Sequence, residues 1–365
     1  MLLLHLPVKR RDSIKIRAGK SVKNMLYVLC LSAGLILAAE SRADALPAEA
    51  PQQLKALIGE YRASDAQLTV YEAGGHLYAD GLGLHEAQLR RLSATRYAVD
   101  APNVSSAQQR LDFELDAGKR PVAVATGGAH LQFKDIGRET LQQIRAGVRT
   151  DTGGLRAAAL AATPPSEPAA KRSFDLVDLA TVDPGIKFDI RYAGSNNFMG
   201  FALYERSAAY LQRPAAEALG RVERSLQAQG YGLLIHDAYR PWFVTKMFWD
   251  ATPDSAHMFV ADPAQGSRHN RGCATDLTLY DLKTGKAVEM TGGYDEMSPR
   301  SYANYIGGTS RERFLRDLLR HEMEAQGFAV YAEEWWHFDY KDWADYAIGT
   351  ETFSQLEAAS HAAAH

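Results

Sequence analysis

The sequence contains only two cysteines in 365 residues, Cys30 and Cys273. Cys30 lies in an N-terminal apolar run that we expect to be removed, which leaves Cys273 without a partner for an internal disulfide. Basic charge is not in excess either, because 41 Lys and Arg residues and 44 Asp and Glu residues give a formal net charge of −3. We therefore expect no nucleic-acid partner, since such a partner requires a basic surface.

A long hydrophobic run is also lacking. The apolar stretch at residues 25–39 is shorter than the about 20 residues that a membrane-spanning helix needs. It follows seven Lys and Arg residues between positions 9 and 23, and it precedes Ala43-Asp44-Ala45, an A-x-A cleavage pattern. We expect residues 1–45 to be a signal peptide and the mature protein to be periplasmic or secreted, with no integral membrane segment. An uncleaved anchor is the alternative.

Residues 46–150 are predicted to form a small β-rich accessory domain. Segments 67–73 and 76–81 alternate apolar and polar residues around Gly74-Gly75, which is typical of a β-hairpin. A second pair of apolar segments flanks Asp116-Ala117-Gly118 in the same manner. No His, Cys or carboxylate cluster with metal-ligand spacing occurs here, so we expect an accessory or binding module without chemistry.

The rest of the chain changes in composition twice. Residues 151–172 are rich in Ala, Gly and Pro, which predicts a linker that neither forms a core nor stays helical. In residues 173–350, Pro214 suits the first turn of a helix, and Thr309 begins a capping-box pattern. Helices and strands without regular alternation indicate an α+β domain whose largely antiparallel sheet is flanked by helices. Residues 351–365 are predicted to form a C-terminal tail.

One group of reactive residues lies between Ser267 and Asp276, in the sequence S-R-H-N-R-G-C-A-T-D. His269 precedes Asp276 by seven residues with a glycine between them, and Asp276 begins an alternating run typical of a strand. A loop histidine and a carboxylate at the start of a strand can converge on one ion at the about 2.0–2.2 Å that zinc requires.

A second group is Glu333-Glu334-Trp335-Trp336-His337. A carboxylate three residues before a histidine, between tryptophans, is costly to bury without a purpose. Because residues three apart on a strand face opposite sides, we expect Glu334 on the bend before the strand and His337 on the strand itself. Two histidines and one carboxylate leave a zinc position open for water, as in catalytic sites, and Glu334 is the candidate general base.

A third group, His236-Asp237-Ala238-Tyr239-Arg240-Pro241, follows a predicted buried strand. An arginine at this place is suited to stabilise the negative charge that develops on a substrate oxygen in a tetrahedral intermediate. The alternative interpretation is a structural ion pair of Arg240 with Asp237 or Asp183.

Together these motifs resemble the zinc D-alanyl-D-alanine dipeptidases of the VanX type, peptidase family M15. The resemblance spans about residues 174–345 and includes D-I-R-Y-A and N-F-M-G further upstream. It implies one zinc ion per chain bound by His269, Asp276 and His337, with Glu334 as base and Arg240 as the residue that polarises the carbonyl. It also implies that Tyr192, Asp237 and Ser267 help to shape the substrate pocket.

Several residues near these motifs have simpler interpretations. Cys273 departs from the family pattern, in which a small hydroxyl or aliphatic residue is usual, and we expect it to pack as a small hydrophobic residue. Trp335 and Trp336 are interpreted as packing residues rather than substrate contacts. Histidines outside complete motifs, such as His236 and His257, are interpreted as ordinary core or surface side chains.

The function that follows is that of an exported zinc metallopeptidase that cleaves D-Ala-D-Ala in cell-wall turnover or salvage. One alternative is a D,D-carboxypeptidase or endopeptidase on longer peptidoglycan peptides. Another is a non-catalytic zinc-binding module, as in hedgehog signalling domains, although Glu334 and Arg240 beside the ligands favour catalysis. The β-rich unit is a candidate for binding peptidoglycan. The metal itself stays open, because affinity order alone does not select zinc.

Overall fold

The fold is described from a computed structural model of the chain. It describes residues 45–100, 109–167 and 171–363. The predicted signal peptide therefore lies outside the described residues, except for Ala45. Within the described residues, no helix combines the length and the apolar character that crossing a membrane requires.

The first part of the structure is a closed antiparallel barrel of eight strands. A short helix, α1 (Gln52–Lys55), precedes it. The strands follow in chain order: β1 (Gly59–Ala63), β2 (Ala66–Ala73), β3 (His76–Gly81), β4 (Leu84–Arg91), β5 (Arg96–Asp100), β6 (Arg110–Leu115), β7 (Pro121–Thr126) and β8 (Ala129–Lys134). Each strand pairs with the next, and pairing of β8 with β1 closes the barrel.

Side chains fill the interior of the barrel. Tyr61 is fully buried, and its ring contacts Phe113 and Phe133 edge-on at centroid distances of 5.7 and 5.6 Å. Leucine and valine residues from alternating strand positions surround these rings. The alternation follows from the two-residue period of a strand, which sends every second side chain inward. The barrel therefore has a packed core of its own.

Both predicted hairpins of this region are confirmed. Strands β2 and β3 join through Gly74 and Gly75, whose φ angles are 57° and 82°. Two consecutive positive φ angles define the two-residue turn that matches strand twist, and glycine adopts them without strain. Strands β6 and β7 form the second hairpin, as expected from the sequence.

Two helices follow the barrel, and one of them corrects the linker prediction. They are α2 (Ile136–Gly147) and α3 (Thr152–Ala161), each capped by an aspartate side chain, Asp135 and Asp151. Leu155 and Ala159 of α3 are fully buried in the core. The expectation that this segment forms no core is therefore wrong for its first half, because the alanines extend a helix and the prolines begin only at Pro164.

The second half of the chain is built on a five-stranded sheet. Its strands, in spatial order, are β10 (Lys187–Phe188), β12 (Tyr231–Asp237), β13 (Ala274–Asp281), β15 (Glu334–Tyr340) and β14 (Phe328–Tyr331). Its neighbours pair antiparallel except for β10 and β12, so the prediction of a largely antiparallel sheet is confirmed. The other elements are the strands β9 (Leu176–Asp178) and β11 (Tyr210–Gln212) and the helices α4 (Arg213–Gln227), α5 (Trp242–Ala251), α6 (Ser310–Ala325) and α7 (Phe353–Ala363).

The helices that cover this sheet begin where the sequence predicts. Helix α4 carries a proline in its first turn, and Leu219, Val222 and Leu226 form its fully buried face. Helix α6 begins with a complete capping box between Thr309 and Glu312. The capping box forms hydrogen bonds with free N–H groups of the first helical turn, whereas a proline in that turn has no N–H group that needs a partner.

Residues Leu46–His365 form one compact unit. A β-rich unit does precede the larger sheet, but its independence as a small domain is not confirmed. The predicted C-terminal tail also differs from expectation, because α7 lies there and its Phe353 is buried against Tyr204, at a centroid distance of 4.8 Å.

Candidate metal and catalytic site

Three segments of the sheet domain bring the predicted ligands together. Asp276 of β13 pairs directly with Asp237 of β12 on one side and with His337 of β15 on the other. A β-bulge between Ile235 and Asp237 shifts the register at this point, and such bulges often redirect side chains near active sites. His269 lies in the short turn His269–Arg271 before β13. The ligands thus come from elements that are neighbours in space rather than in sequence.

The nitrogen and oxygen atoms of the three predicted ligands converge closely. His269 Nε2 lies 3.2 Å from His337 Nδ1 and 3.3 Å from Asp276 Oδ1, and His337 Nδ1 lies 3.0 Å from the same oxygen. A tetrahedral ion with ligand bonds of 2.0–2.1 Å places its ligand atoms about 3.3 Å apart. The triangle therefore has the dimensions of a zinc site, and its two imidazoles and one carboxylate are ligands that zinc prefers.

Hydrogen bonds on the far sides of the two rings support the same interpretation. His269 Nδ1 lies 2.7 Å from the carbonyl oxygen of Ala238, so it donates its proton there. His337 Nε2 lies 3.0 Å from Asp339 Oδ1 and donates to it. In its neutral form, each ring then presents an unprotonated nitrogen to the common centre, as metal-bound histidines do. Two lone pairs and a carboxylate face each other there, an arrangement that a divalent cation stabilises.

Protons compete with a metal ion for the ligand atoms of this centre. Burial disfavours a charged His337, but its hydrogen bonds to Asp276 and Asp339 outweigh burial and raise its pKa to about 10. Burial likewise opposes ionisation of Asp276, but the two histidines hold its pKa well below the usual range. A metal at this position must displace a proton from His337, so its binding weakens as the solution becomes more acidic.

Glu334 is the first residue of β15, at a register shift in the pairing of β14 with β15. The prediction that Glu334 lies on the bend before the strand is therefore wrong by one residue, because the turn ends at Glu333 and the register shift lets Glu334 begin the strand. Its Oε2 lies 3.8 Å from His337 Nδ1, and its side chain is 25% exposed. Burial raises the pKa of Glu334, with a further contribution from the negative charge of Asp276. The carboxylate therefore stands beside the ligand centre and remains open to the cavity.

Arg240 is buried and held in place by a carboxylate and aromatic rings. Its Nε and one terminal nitrogen donate to Asp237 Oδ2 at 3.0 and 2.7 Å. Tyr204 donates its hydroxyl to the other oxygen of Asp237 at 2.5 Å. The guanidinium lies 4.7 Å from the Phe248 ring centre and 5.2 Å from that of Tyr192. The structural ion pair with Asp237 considered as an alternative thus exists, while Arg240 still lines the cavity.

A cavity of about 390 Å³ lies over the ligand centre. The predicted site residues that line it are Tyr192, Arg240, Ser267, His269, Asp276, Glu334 and His337. Asp237 is 1% exposed and lies behind Arg240 rather than at the cavity wall. Its contacts are those of a residue that orients Arg240, and the structure gives it no direct position for contacting a ligand.

The cavity also contains an acidic residue that the sequence interpretation missed. Asp295 lines it, is 5% exposed and accepts the Tyr192 hydroxyl proton at 3.0 Å. Burial, together with the charges of Asp276 and Glu334, raises the pKa of Asp295 well above its usual range. Its neighbour Tyr294 donates its hydroxyl to Asp276 Oδ2 at 3.0 Å. No ligand spacing or hydrophobic period surrounds these residues, so the sequence contained no signal for them.

Other predicted positions have the expected surroundings, with one exception. Cys273 is fully buried, and burial raises the pKa of its thiol to about 12, in agreement with a packing role. Trp335 is buried, as expected. Trp336 is buried too, but it also lines the cavity and contacts the Tyr294 ring at a centroid distance of 5.4 Å. It is therefore both a packing residue and part of the cavity wall.

Comparisons with known proteins match the part of the chain that forms this site. The peptidase M15 family, described as D-ala-D-ala dipeptidase, matches residues 172–356. A D-alanyl-D-alanine dipeptidase of Escherichia coli (strain K12) is 37% identical over 180 residues, which cover 49% of this chain and 92% of the relative. The protein of the same name from Streptomyces coelicolor is 36% identical over 186 residues, 45% of this chain and 92% of the relative. That of Enterococcus faecium is 36% identical over 176 residues, 43% and 87% respectively.

Proposed function

The chain belongs to the peptidase M15 family and is a hydrolase, and on this premise we propose that it hydrolyses D-alanyl-D-alanine to two molecules of D-alanine. The main support for the proposal is that Glu334 and Arg240 line the same cavity as the three candidate metal ligands. These ligands are His269, Asp276 and His337. A binding module requires only the ligands. A general base and a buried cation on the same cavity are the additional groups that peptide hydrolysis requires.

The proposed cofactor is one zinc ion bound by His269, Asp276 and His337. When bound, zinc supplies Lewis acidity, which makes water a stronger nucleophile near neutral pH. Glu334 accepts a proton from the attacking water at a carboxylate oxygen and returns it to the nitrogen of the leaving D-alanine as the C–N bond breaks. Arg240 stabilises the negative charge that develops on the carbonyl oxygen.

Recognition of a dipeptide requires partners for a free ammonium and a free carboxylate. We assign the ammonium to Asp295, because it is a buried carboxylate that lines the cavity and is oriented by Tyr192. The positive ammonium favours the ionised form of Asp295, and a charge-assisted contact of this kind is among the stronger polar interactions. For the substrate carboxylate we assign Ser267 and Arg268, adjacent cavity residues, of which Arg268 has a side chain 38% exposed.

We further propose that the enzyme acts outside the cytoplasm, in turnover or salvage of cell-wall peptides. The basic segment, apolar run and cleavage pattern of residues 1–45 support export. A role in destroying the cytoplasmic dipeptide pool does not fit an exported enzyme. Recovery of the intact chain in the cytosolic fraction of cells would contradict this proposal. Binding of peptidoglycan by the barrel has no support in the structure, and we do not retain it.

The test of the catalytic proposal is release of D-alanine from D-Ala-D-Ala, measured with and without a chelator. Glu334→Gln should lower kcat by about 10²–10⁴, the usual contribution of a general base, while bound zinc per chain stays unchanged. Glu333→Gln is the matched control, because this neighbouring glutamate is exposed and should retain wild-type activity. A D-Ala-terminated pentapeptide serves as the competing substrate. Cleavage of the pentapeptide alone would show a carboxypeptidase, and bound zinc without cleavage of either would show a binding module.

A further inference from the structure

The loop that carries Asp295 has an unusual backbone. Asp295 and Met297 both line the cavity, and their φ angles are 57° and 55°. Residues other than glycine rarely adopt positive φ, because their Cβ then crowds the backbone. Two such residues on either side of Glu296 indicate that neighbouring groups hold the loop in this conformation.

Glu296 holds this loop through hydrogen bonds to other residues of the same loop. Its Oε2 accepts a hydrogen bond from the Gly293 amide at 2.7 Å. Its Oε1 accepts from the Ser298 hydroxyl and from Arg300 Nε, each at 2.6 Å. These three bonds join both ends of the 293–300 loop to one buried carboxylate. The position of Asp295 in the cavity therefore depends on where the Glu296 side chain lies.

The first turn of α2 contacts this carboxylate from outside the loop. Gly137 packs against Glu296 so closely that a Cβ at position 137 would lie 2.2 Å from Glu296 Cγ and 2.4 Å from its Oε1. Asp135, the N-cap of α2, lies 3.7 Å from Arg300. Helix α2 lies before residues 172–356, so these contacts come from outside the family match. The backbone of Gly137 has an ordinary helical conformation, and only the proximity of Glu296 requires glycine there.

Helix α2 is fixed in place by contacts that do not involve the loop. It follows β8 of the barrel after a single residue, Asp135. The barrel in turn contacts the sheet domain through Glu72, whose Oε2 accepts from the Ser310 amide and hydroxyl at 2.9 and 2.8 Å. At the other end of α2, Arg145 donates to the carbonyl oxygen of Asn197 at 2.5 Å. The helix is thus held at both ends, and its first turn is a rigid surface for the loop.

We propose that the first turn of α2 is a positioning element for the substrate-binding loop 293–300. Gly137 leaves the space that Glu296 occupies, and Asp135 restrains Arg300, so that Asp295 and Met297 are held at the cavity wall. The inference rests on the proposed function, in which Asp295 binds the substrate ammonium. On this proposal, helix α2, which lies outside the family match, contributes to substrate recognition rather than to targeting.

The direct test is Gly137→Ala. The added methyl group displaces Glu296, loosens the loop and moves Asp295, so KM for D-Ala-D-Ala should rise about tenfold. A rise of this size corresponds to weakening of one charge-assisted hydrogen bond. The kcat value should change much less, because Glu334, Arg240 and the metal ligands lie on other elements. A fall in kcat with unchanged KM would overturn the proposal.

Gly153→Ala is the matched control. Gly153 is also the second residue of a helix with an aspartate N-cap, but a Cβ there has no atom within 4 Å. It should leave KM unchanged. Glu296→Ala provides a second comparison, because it removes the side chain through which Gly137 acts. If Gly137→Ala raises KM further in the Glu296→Ala background by the same factor as in wild type, the two residues act independently and the proposal is wrong.

Hydrogen exchange of the backbone amides separates this inference from the proposed activity. Exchange in residues 291–302 should be faster in Gly137→Ala and unchanged in Gly153→Ala, even if the chain does not cleave D-Ala-D-Ala. Absence of activity in wild type together with this exchange pattern would refute the function and support the positioning role. Unchanged exchange in Gly137→Ala would overturn the positioning role. If Gly137→Ala does not fold, Asp135→Asn is the alternative variant, because asparagine keeps the helix cap but loses the ion pair with Arg300. Asp135→Asn should also raise KM and increase the exchange rate of residues 291–302.

Discussion

Replacing Glu60 by glutamine should change how the stability of the protein depends on pH. Glu60 lies on β1 of the barrel and is 1% exposed. Its Oε1 accepts the hydroxyl proton of Tyr305, whereas Oε2 has no hydrogen-bond donor among the described residues. Burial raises the pKa of Glu60 to about 7, and the nearby Glu296 adds to the effect while Arg300 opposes it.

The sign and size of the effect follow from the two pKa values. Below about pH 4.5 the carboxyl is protonated in both folded and unfolded chains, and the stabilisation from a neutral Glu60 is fully present. As the pH rises toward 7, the unfolded chain releases this proton while the folded chain retains it, so the free energy of unfolding falls. A shift from 4.5 to about 7, at 1.36 kcal/mol for each pKa unit, gives a loss of about 3 kcal/mol.

Glutamine in place of Glu60 accepts the Tyr305 hydroxyl and does not ionise. The free energy of unfolding of Glu60→Gln should therefore lack this fall, and its difference from wild type should grow by about 3 kcal/mol between pH 4.5 and 8. Urea unfolding of both proteins at several pH values measures the difference. Glu217→Gln, at an exposed position of α4, is the control and should follow the wild-type profile. Parallel profiles for wild type and Glu60→Gln would refute the reasoning.

Two further predictions concern the site and the core. Asp237→Asn keeps the shape of the Arg240 partner but removes its charge, which leaves a buried cation uncompensated. We expect a loss of about 3–5 kcal/mol in the free energy of unfolding and a lower kcat/KM; unchanged stability in urea unfolding would contradict the proposed role of Asp237. Leu155→Ala in α3 should cost about 2–5 kcal/mol, the usual cost of truncating a buried leucine. A change below about 0.5 kcal/mol, typical of surface positions, would instead support the linker interpretation.

The three residues that converge in the structure could be singled out from the sequence because their chemistry is local. A histidine and an aspartate around a glycine turn, and a glutamate three residues before a histidine, are unusual enough to be singled out without knowing the fold. The pairing of Asp276 with His337 depends on strand register, which the sequence does not specify over 61 residues. Their convergence was inferred from the preference of zinc for these ligands and from the family resemblance.

The parts that were missed depend on contacts between distant segments. The two hairpins of the barrel were predicted from their turns, but closure requires pairing of β1 with β8, which no local pattern encodes. Asp295 lies in a segment whose Gly292-Gly293 and Ser298-Pro299 dipeptides indicate a loop but no site residue. Its backbone conformation is set by Glu296 and by the first turn of α2. Helix α3 was hidden by the prolines that follow it, although its alanines favour a helix.

The carboxylates in and behind the cavity differ in role because their surroundings differ. Asp276 faces two imidazole nitrogens and suits a cation, whereas Asp237 is bonded to Arg240 and Tyr204 and orients the former. Glu334 is partly exposed beside the ligand atoms, and Asp295 is bonded only to Tyr192 among the described residues. Four carboxylates in one small volume repel one another, which contributes to the raised pKa values of Glu334 and Asp295 and favours the binding of positive charge. Arg240, a metal ion and the substrate ammonium are the three cations that the proposed reaction supplies.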